Sequence, residues 1–367
     1  MDWAVSDWNG AKNVLCVRLD TLGDVLMTTP ALRALKEGGR RITLLTSPQG
    51  AAVARLVPEI DDVIVYAAPW LKATPPRADA APDFEMIELL RAGNFDACAI
   101  FTVFSQNPLP SALLAYLAGI GLRLAHCREN PYQLLTHWVR ETEPESGIRH
   151  EVRRQLDLVA SVGCTTTDER MSLRPPEQDR ARAGEELRNL GLGNWVALHP
   201  GASASSRRYP PELFAEVVGL LFRDYGVEVV FTGSPDEAEL VECIREQAGV
   251  PTYSLAGRLN LGELAALLQR APLLISNNTG PAHVAAAVGT PVVDLYALTN
   301  PQHTPWGVPS RVLSHAVPCA NCYKSVCPVP GHPCLRGVPP ERVVRETLAL
   351  LEEVTTSGTP RAYHPAV

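Results

Sequence analysis

Four short polar segments hold most of the residues able to do chemistry, and each directly follows an apolar run: LDTLGD (residues 19–24), HPGASASSRRYP (199–210), TGSPDE (232–237) and SNNTGPAH (276–283). In the first, Asp24 follows Gly23 where helical spacing begins, and a helix dipole keeps a carboxylate there ionised and able to accept a proton. An ordinary helix cap uses the same residue type, and Asp20 is a rival carboxylate that spacing alone does not exclude. In the second, Gly201 and Ser203 allow close backbone approach, while Arg207 and Arg208 offer fixed positive charge either to a diphosphate or simply to solvent. In the fourth, Thr279 and Gly280 precede Pro281 in the first turn of a helix. Open N–H groups and the dipole there favour a phosphate, and a plain N-cap is the other use of the same residues. His199 and His283 adjoin strand ends without zinc-ligand spacing around them and read as hydrogen-bonding residues. The chain has no GxSxG elbow, Walker loop or GxGxxG fingerprint, which counts against serine hydrolases, P-loop kinases and simple dehydrogenases.

A fifth segment is set apart by its thiols. Cys319, Cys322, Cys327 and Cys334 follow C-x2-C-x4-C-x6-C with His332 inside the span, a candidate structural zinc site on a loop with little other structure. Reduced thiols are the alternative, and disulfides suit a cytosolic chain least. The other cysteines, Cys16, Cys98, Cys127, Cys164 and Cys243, are dispersed among apolar neighbours as buried thiols are.

The elements that must position these loops can be read from apolar periodicity. Residues 13–19 (NVLCVRL) form a strand that runs through LDTLGD into a helix with Val25, Leu26, Ala31, Leu32 and Leu35 at helical spacing. Strands at 41–46, 62–66 and 95–102 alternate with helices at 51–57 and 86–91, the pattern of parallel βαβ units, with a long Pro- and Ala-rich loop at 67–83. The pattern breaks at Arg174, Pro175 and Pro176, then restarts with a charged helix (178–190) and a strand at 195–198. Helices at 211–225, 236–247, 261–271 and 282–288 alternate with strands at 227–233, 273–276 and 290–296. The fold class is α/β, two doubly wound domains in tandem: an N-terminal domain over residues 1–176 and a C-terminal domain over 177–354, the latter carrying the Cys-rich loop at 318–335, then a tail at 355–367. In such sheets ligands sit at the carboxyl ends of the strands, and two such edges can face each other across a cleft.

Composition agrees with two domains and narrows the partners. The chain has 367 residues, 46% of them apolar, and its 33 Lys and Arg against 40 Asp and Glu give 33 − 40 = −7. A nucleic-acid partner is disfavoured by that balance, and a zinc-ribbon binder would need paired knuckles and a basic face. The basic cluster at 149–154 is interrupted by Glu151 and Val152 and makes no polybasic arm. The first ten residues lack a basic n-region, and the most apolar window, 109–122, contains Pro110, Gly119 and Gly121 and is too short for a span, so a cytoplasmic location without a transmembrane segment is expected.

RLDTLGDVLMTTPALRALK, HPGAS with RRYPPE, GSPDE, SNNTGPAHVAAAVGTPVV and PCANCYKSVCPVPGHPCLRGVPPERV together resemble glycosyltransferase family 9, the ADP-heptose:lipopolysaccharide heptosyltransferases, over roughly residues 13–350. The resemblance implies a GT-B fold of two Rossmann-like domains, with the acceptor held by the first and a nucleotide-sugar donor, ADP-heptose or a related ADP-sugar, by the second. It implies an inverting transfer to a hydroxyl of a glycan or lipid-linked, lipopolysaccharide-core-like acceptor, with at most peripheral membrane contact and no cofactor required for catalysis. The general base of the family falls on Asp24, not Asp20. Its basic residue before the aromatic-proline pair, usually Lys, falls on Arg207. Ser203, Thr279 and Gly280 fall at donor-phosphate positions, Glu237 and Leu259 at nucleoside positions, and Asn278 and His283 in the sugar-binding part of the last loop. Where the family commonly has Asp before Thr-Gly this chain has Asn278, a neutral amide that can both donate to and accept from sugar hydroxyls. A GT-B sugar-nucleotide epimerase or hydrolase, or a catalytically silent nucleotide-sugar binding protein, is the alternative.

Overall fold

The computed structural model describes residues 8–72 and 74–356. Two compact units divide the chain, Met1–Ser172 and Leu173–Val367, each with its own parallel sheet.

The first unit holds β1 (Asn13–Arg18), α1 (Leu22–Lys36), β2 (Arg41–Thr46), α2 (Pro48–Ala54), β3 (Asp62–Val65), α3 (Ala81–Ala92), β4 (Ala97–Ile100), α4 (Leu109–Leu117), β5 (Leu122–Cys127), β6 (His137–Arg140) and α5 (Glu151–Ala160). Its six strands run parallel in the order β3-β2-β1-β4-β5-β6. A strand covered on both faces must be apolar throughout, and Val14, Leu15, Cys16 and Val17 of β1 are all buried. Leu15, Val17, Leu45, Ile100 and Ala125 join Met86, Leu90 and Leu114 of the covering helices in one core, each large apolar side chain contributing about 1.5–3 kcal/mol by leaving water.

The second unit repeats the plan with α6 (Glu177–Leu190), β7 (Trp195–His199), α7 (Pro211–Tyr225), β8 (Glu228–Phe231), α8 (Ala238–Ala248), β9 (Tyr253–Ser254), α9 (Leu261–Arg270), β10 (Leu274–Asn277), α10 (Gly280–Ala287), β11 (Val292–Leu295), β12 (Ser310–Leu313), α11 (Pro333–Arg336) and α12 (Pro340–Thr356). The order β12-β11-β10-β7-β8-β9 is the same arrangement counted from the other edge. Helix ends follow local chemistry: α7 opens with Pro211 and closes on Gly226 at φ 63°, and Asn260 caps α9 in a reciprocal box with Glu263. Each sheet has a switch point, β1/β4 in the first unit and β7/β10 in the second, where successive loops diverge and leave room for a ligand.

Several elements differ from the pattern reading. The helix expected from residue 86 starts at Ala81, because Asp79 accepts the Ala81 N–H at 3.0 Å and Pro82 suits a first turn. The loop before it is shortened accordingly, and Asp83 is held by Tyr66 and Arg77 at 2.6 and 2.9 Å. Of the expected tail, Thr355 and Thr356 continue α12, and residues 357–367 lie outside the described residues, as do residues 1–7 of the opening segment. Among the described residues no helix is long and apolar enough to cross a membrane.

Candidate active site

In the first unit the chemistry gathers where β1 ends. Thr21 starts α1 with extended backbone, and Asp24, third in the helix, closes a capping box: its Oδ2 accepts the Thr21 N–H at 3.0 Å and the Thr21 hydroxyl at 2.7 Å. Its Oδ1 accepts from Arg18 at 3.1 Å. Asp24 is therefore both a cap and an oriented carboxylate, 9% exposed at the carboxyl edge of the sheet. Asp20 stands on the same guanidinium at 3.0 Å and accepts from Gln106 at 2.6 Å. Burial outweighs Arg18 and lifts the Asp20 carboxyl to about 6, with the Asp24 charge adding to the rise.

In the second unit the loop after β7 is fixed from below. Asn277, fully buried at the end of β10, donates to the Pro200 carbonyl at 2.7 Å and accepts the Tyr209 N–H at 2.9 Å, so one amide ties both ends of the loop. The two arginines separate: Arg208 turns back to donate to the Ala202 carbonyl at 2.7 Å, whereas the guanidinium of Arg207 makes no hydrogen bond or ion pair among the described residues. Its charge bears on Asp294, fully buried on β11 with neither oxygen hydrogen-bonded; burial pushes that carboxyl well above the usual range, and Arg207 only partly opposes it.

Thr279 starts α10 in extended conformation, and its side chain makes no capping bond, so the first-turn N–H groups face the edge without that partner. Ser203 is exposed on the loop. Asn278, 4% exposed, spends its Oδ1 on the Ala297 N–H at 3.3 Å, and His283 is buried with its ring edge-on to His303.

Glu237 lies against the other end of the β7 loop. A Cβ on Gly201 would fall 1.9 Å from its Oε1, so any larger residue there would push the Glu237 carboxylate aside. The Glu237 carboxylate reaches His199 at 3.4 Å and accepts the Ser234 N–H at 2.8 Å. Burial works against its charge, yet these partners hold it down at about 2. The loop carrying half-buried Leu259 runs alongside, with the Gly257 N–H on the Gly233 carbonyl at 2.9 Å.

The Cys-rich segment packs on this loop. Ser206 donates through its N–H to the Ser325 carbonyl at 3.1 Å and through its hydroxyl to the Lys324 carbonyl at 2.6 Å. All nine cysteines are free thiols. Among the described residues no three His, Cys, Asp or Glu side chains converge on a point able to hold a metal ion. The segment's backbone is instead docked on its neighbours, Asn321 N–H on Leu298 and Tyr323 N–H on Thr299, both at 2.8 Å. Cys334 is buried in the core, and burial first, then the thiols of Cys327, Cys319 and Cys322, push its own thiol up.

Two parallel doubly wound units with their polar loops at the carboxyl edges are the parts of a GT-B glycosyltransferase. The family model described as glycosyltransferase family 9 (heptosyltransferase) matches residues 84–332, and this chain belongs to that family. Lipopolysaccharide heptosyltransferase 3 of Escherichia coli is 28% identical over 290 residues, 76% of this chain and 81% of that protein. The family 9 glycosyl transferase from Veillonella parvula DSM 2008 superposes with a TM-score of 0.79 at 24% identity, covering 95% of this chain and 98% of that one. The E. coli heptosyltransferase WaaC, solved with ADP-2-deoxy-2-fluoro heptose, gives 0.65 at 22% identity over 92% and 99%. The enzyme is a glycosyltransferase, and family membership favours transfer over the epimerase, hydrolase and silent-binder alternatives.

Motif context singles out Asp24, Arg207, Thr279 and Glu237 as candidates but not Arg18, Glu151, Asn277 and Asp294, which act on these loops from distant parts of the chain. Asn277 alone carried a signal, as a polar residue ending an otherwise apolar strand.

Proposed function

We propose that the enzyme transfers a heptose from ADP-heptose to a hydroxyl of a lipopolysaccharide-core-type acceptor, with inversion at the anomeric carbon and in the cytoplasm, where nine free thiols are at home. The observation that carries the donor half is the contrast between the arginines: Arg208 is engaged by its own loop, and the half-buried Arg207 guanidinium has no hydrogen bond or ion pair among the described residues.

Chemically, the bond from the anomeric carbon to the ADP β-phosphate oxygen breaks as the acceptor oxygen forms its bond to that carbon. The electron pair leaves with ADP, where Arg207, Ser203 and the first-turn amides of α10 at Thr279 and Gly280 stabilise the growing charge. The acceptor proton goes to Asp24, whose carboxylate is oriented by Thr21 and Arg18. Glu237 and Leu259 serve the nucleoside, and Asn278 and His283 the sugar. No divalent ion is needed for this sequence, and the four cysteines act as reduced thiols.

Thermal-shift titration with ADP, UDP, GDP and ADP-heptose tests the donor, because a ligand of the folded state raises Tm by mass action. Selective stabilisation by ADP and ADP-heptose is expected; preference for UDP or GDP overturns the donor assignment. Asp24→Asn is expected to lower kcat by about 10²–10⁴-fold while donor Kd stays within about twofold, and equal loss of both overturns the base assignment.

A further inference from the structure

Arg18 is completely buried at the end of β1, and each edge of its guanidinium meets a different carboxylate: Nε faces Asp20 at 3.0 Å, one terminal nitrogen Asp24 at 3.1 Å and the other Glu151 at 2.8 Å. Glu151 has no exposed surface. It opens α5, which lies against α1, so the acidic first turns of two helices meet on one cation. Its Oε1 also accepts from Gln155 at 2.6 Å, and the same Gln155 amide, like Arg154 Nε, donates to the Thr102 carbonyl beyond β4 at 3.0 Å. The outer end of this chain is thus fastened to the sheet.

We propose that Glu151 is a positioning residue for proton transfer: by holding one terminal nitrogen of Arg18, it fixes the guanidinium plane and so directs the other at Asp24. The proposal rests on the reading of Asp24 as the base. A guanidinium is planar, so pinning one nitrogen sets the direction of the other two. A buried arginine needs counter-charge, but Asp20 and Asp24 together already supply two negative charges against one positive. What Glu151 adds is orientation, from a site that has no contact with solvent. Its charge also acts on the neighbours: Arg18, Asp24 and Glu151 are the charged groups that bear on Asp20, with Gln106 the neutral donor, and Glu151 raises the Asp20 carboxyl.

The test is Glu151→Gln beside Arg18→Lys, assayed by ADP release from ADP-heptose with a heptose-deficient lipopolysaccharide core as acceptor, and by ¹³C-carboxylate NMR titration of the aspartates, which needs no acceptor. Glu151→Gln keeps the shape and loses the charge. It is expected to lower kcat about 10- to 100-fold, the cost of misplacing a reacting group, with ADP affinity within about twofold, because the donor residues lie in the other unit. Loss of the negative neighbour makes Asp20 easier to ionise, so its titration moves to lower pH. Arg18→Lys keeps the charge without the fork and is expected to lose kcat similarly. Wild-type kcat and an unmoved titration in Glu151→Gln, with only Tm lowered, overturn the proposal; so does full activity in Arg18→Lys if Glu151→Gln fails to fold. An Asp24→Asn enzyme that still turns over at the wild-type rate brings down the base reading instead, and the two failures are thereby told apart.

Discussion

Asn277 accepts the Tyr209 N–H at 2.9 Å while donating to the Pro200 carbonyl at 2.7 Å, so a side chain at the end of β10 sets the span of the loop that presents Arg207. Replacement by Ala leaves a backbone donor and acceptor unsatisfied in a dry site, and each such group costs about 1–3 kcal/mol. Asn277→Ala is expected to lower Tm and weaken ADP binding together. Calorimetry on the variant checks this, and a destabilised protein with unchanged ADP affinity would separate the loop from the donor site.

The two neighbouring arginines give a sharper contrast. Removing a charge-assisted hydrogen bond to a phosphate costs about 1.5–3 kcal/mol, roughly 10- to 150-fold in Kd. Arg207→Ala should show that loss for ADP with little change in Tm, since its guanidinium makes no hydrogen bond or ion pair among the described residues. Arg208→Ala should do less to affinity and more to the loop, because it holds the Ala202 carbonyl. Isothermal titration of both variants decides the matter, and equal effects would contradict the division of labour.

Much of the fold was readable because doubly wound sheets bury strands on both faces, leaving unbroken apolar runs such as those of β1, β10 and β11. β5 was not assigned, because Arg123 and His126 interrupt its apolar run. Both are buried: Arg123 donates to the Leu134 and Gln133 carbonyls at 2.8 and 2.7 Å, and His126 is paired with the Arg154 carbonyl at 3.2 Å. Asp24 and Arg207 could be singled out from local motif context. Glu151 could not, since its meaning lies in Arg18, 133 residues away. Nor does spacing reveal that the cysteine segment docks on the Ser205–Arg207 turn. Local sequence shows which loops carry chemistry; partners that orient those loops arrive from other strands and helices.

Stability against pH follows from two carboxylates with opposite shifts. Asp20 is lifted from 3.8 to about 6, so the folded state binds the extra proton between those values and stability falls as pH rises through them. Asp20→Asn removes that penalty, and the variant is expected to gain Tm relative to wild type at pH 7.5 but not at pH 4. Glu237 is depressed from 4.5 to about 2, so its contribution is present above 4.5 and lost as pH falls toward 2. Glu237→Gln should flatten that acid limb. Denaturation curves across pH for both variants check the signs, and an Asp20→Asn gain that is largest at pH 4 would contradict the first.

Charge development on a departing diphosphate must be met by something, and many enzymes use a divalent ion for it. In the mechanism proposed above, the Arg207 guanidinium and the α10 amides next to Thr279 meet that charge. Initial rates measured after EDTA treatment and gel filtration are therefore expected to match untreated enzyme within about twofold, the usual scatter of such rates, with added Mg²⁺ giving no gain. Arg207→Ala should stay impaired at every Mg²⁺ concentration. Loss of activity on chelation with recovery on Mg²⁺, or rescue of Arg207→Ala by Mg²⁺, would instead place a metal ion on the diphosphate.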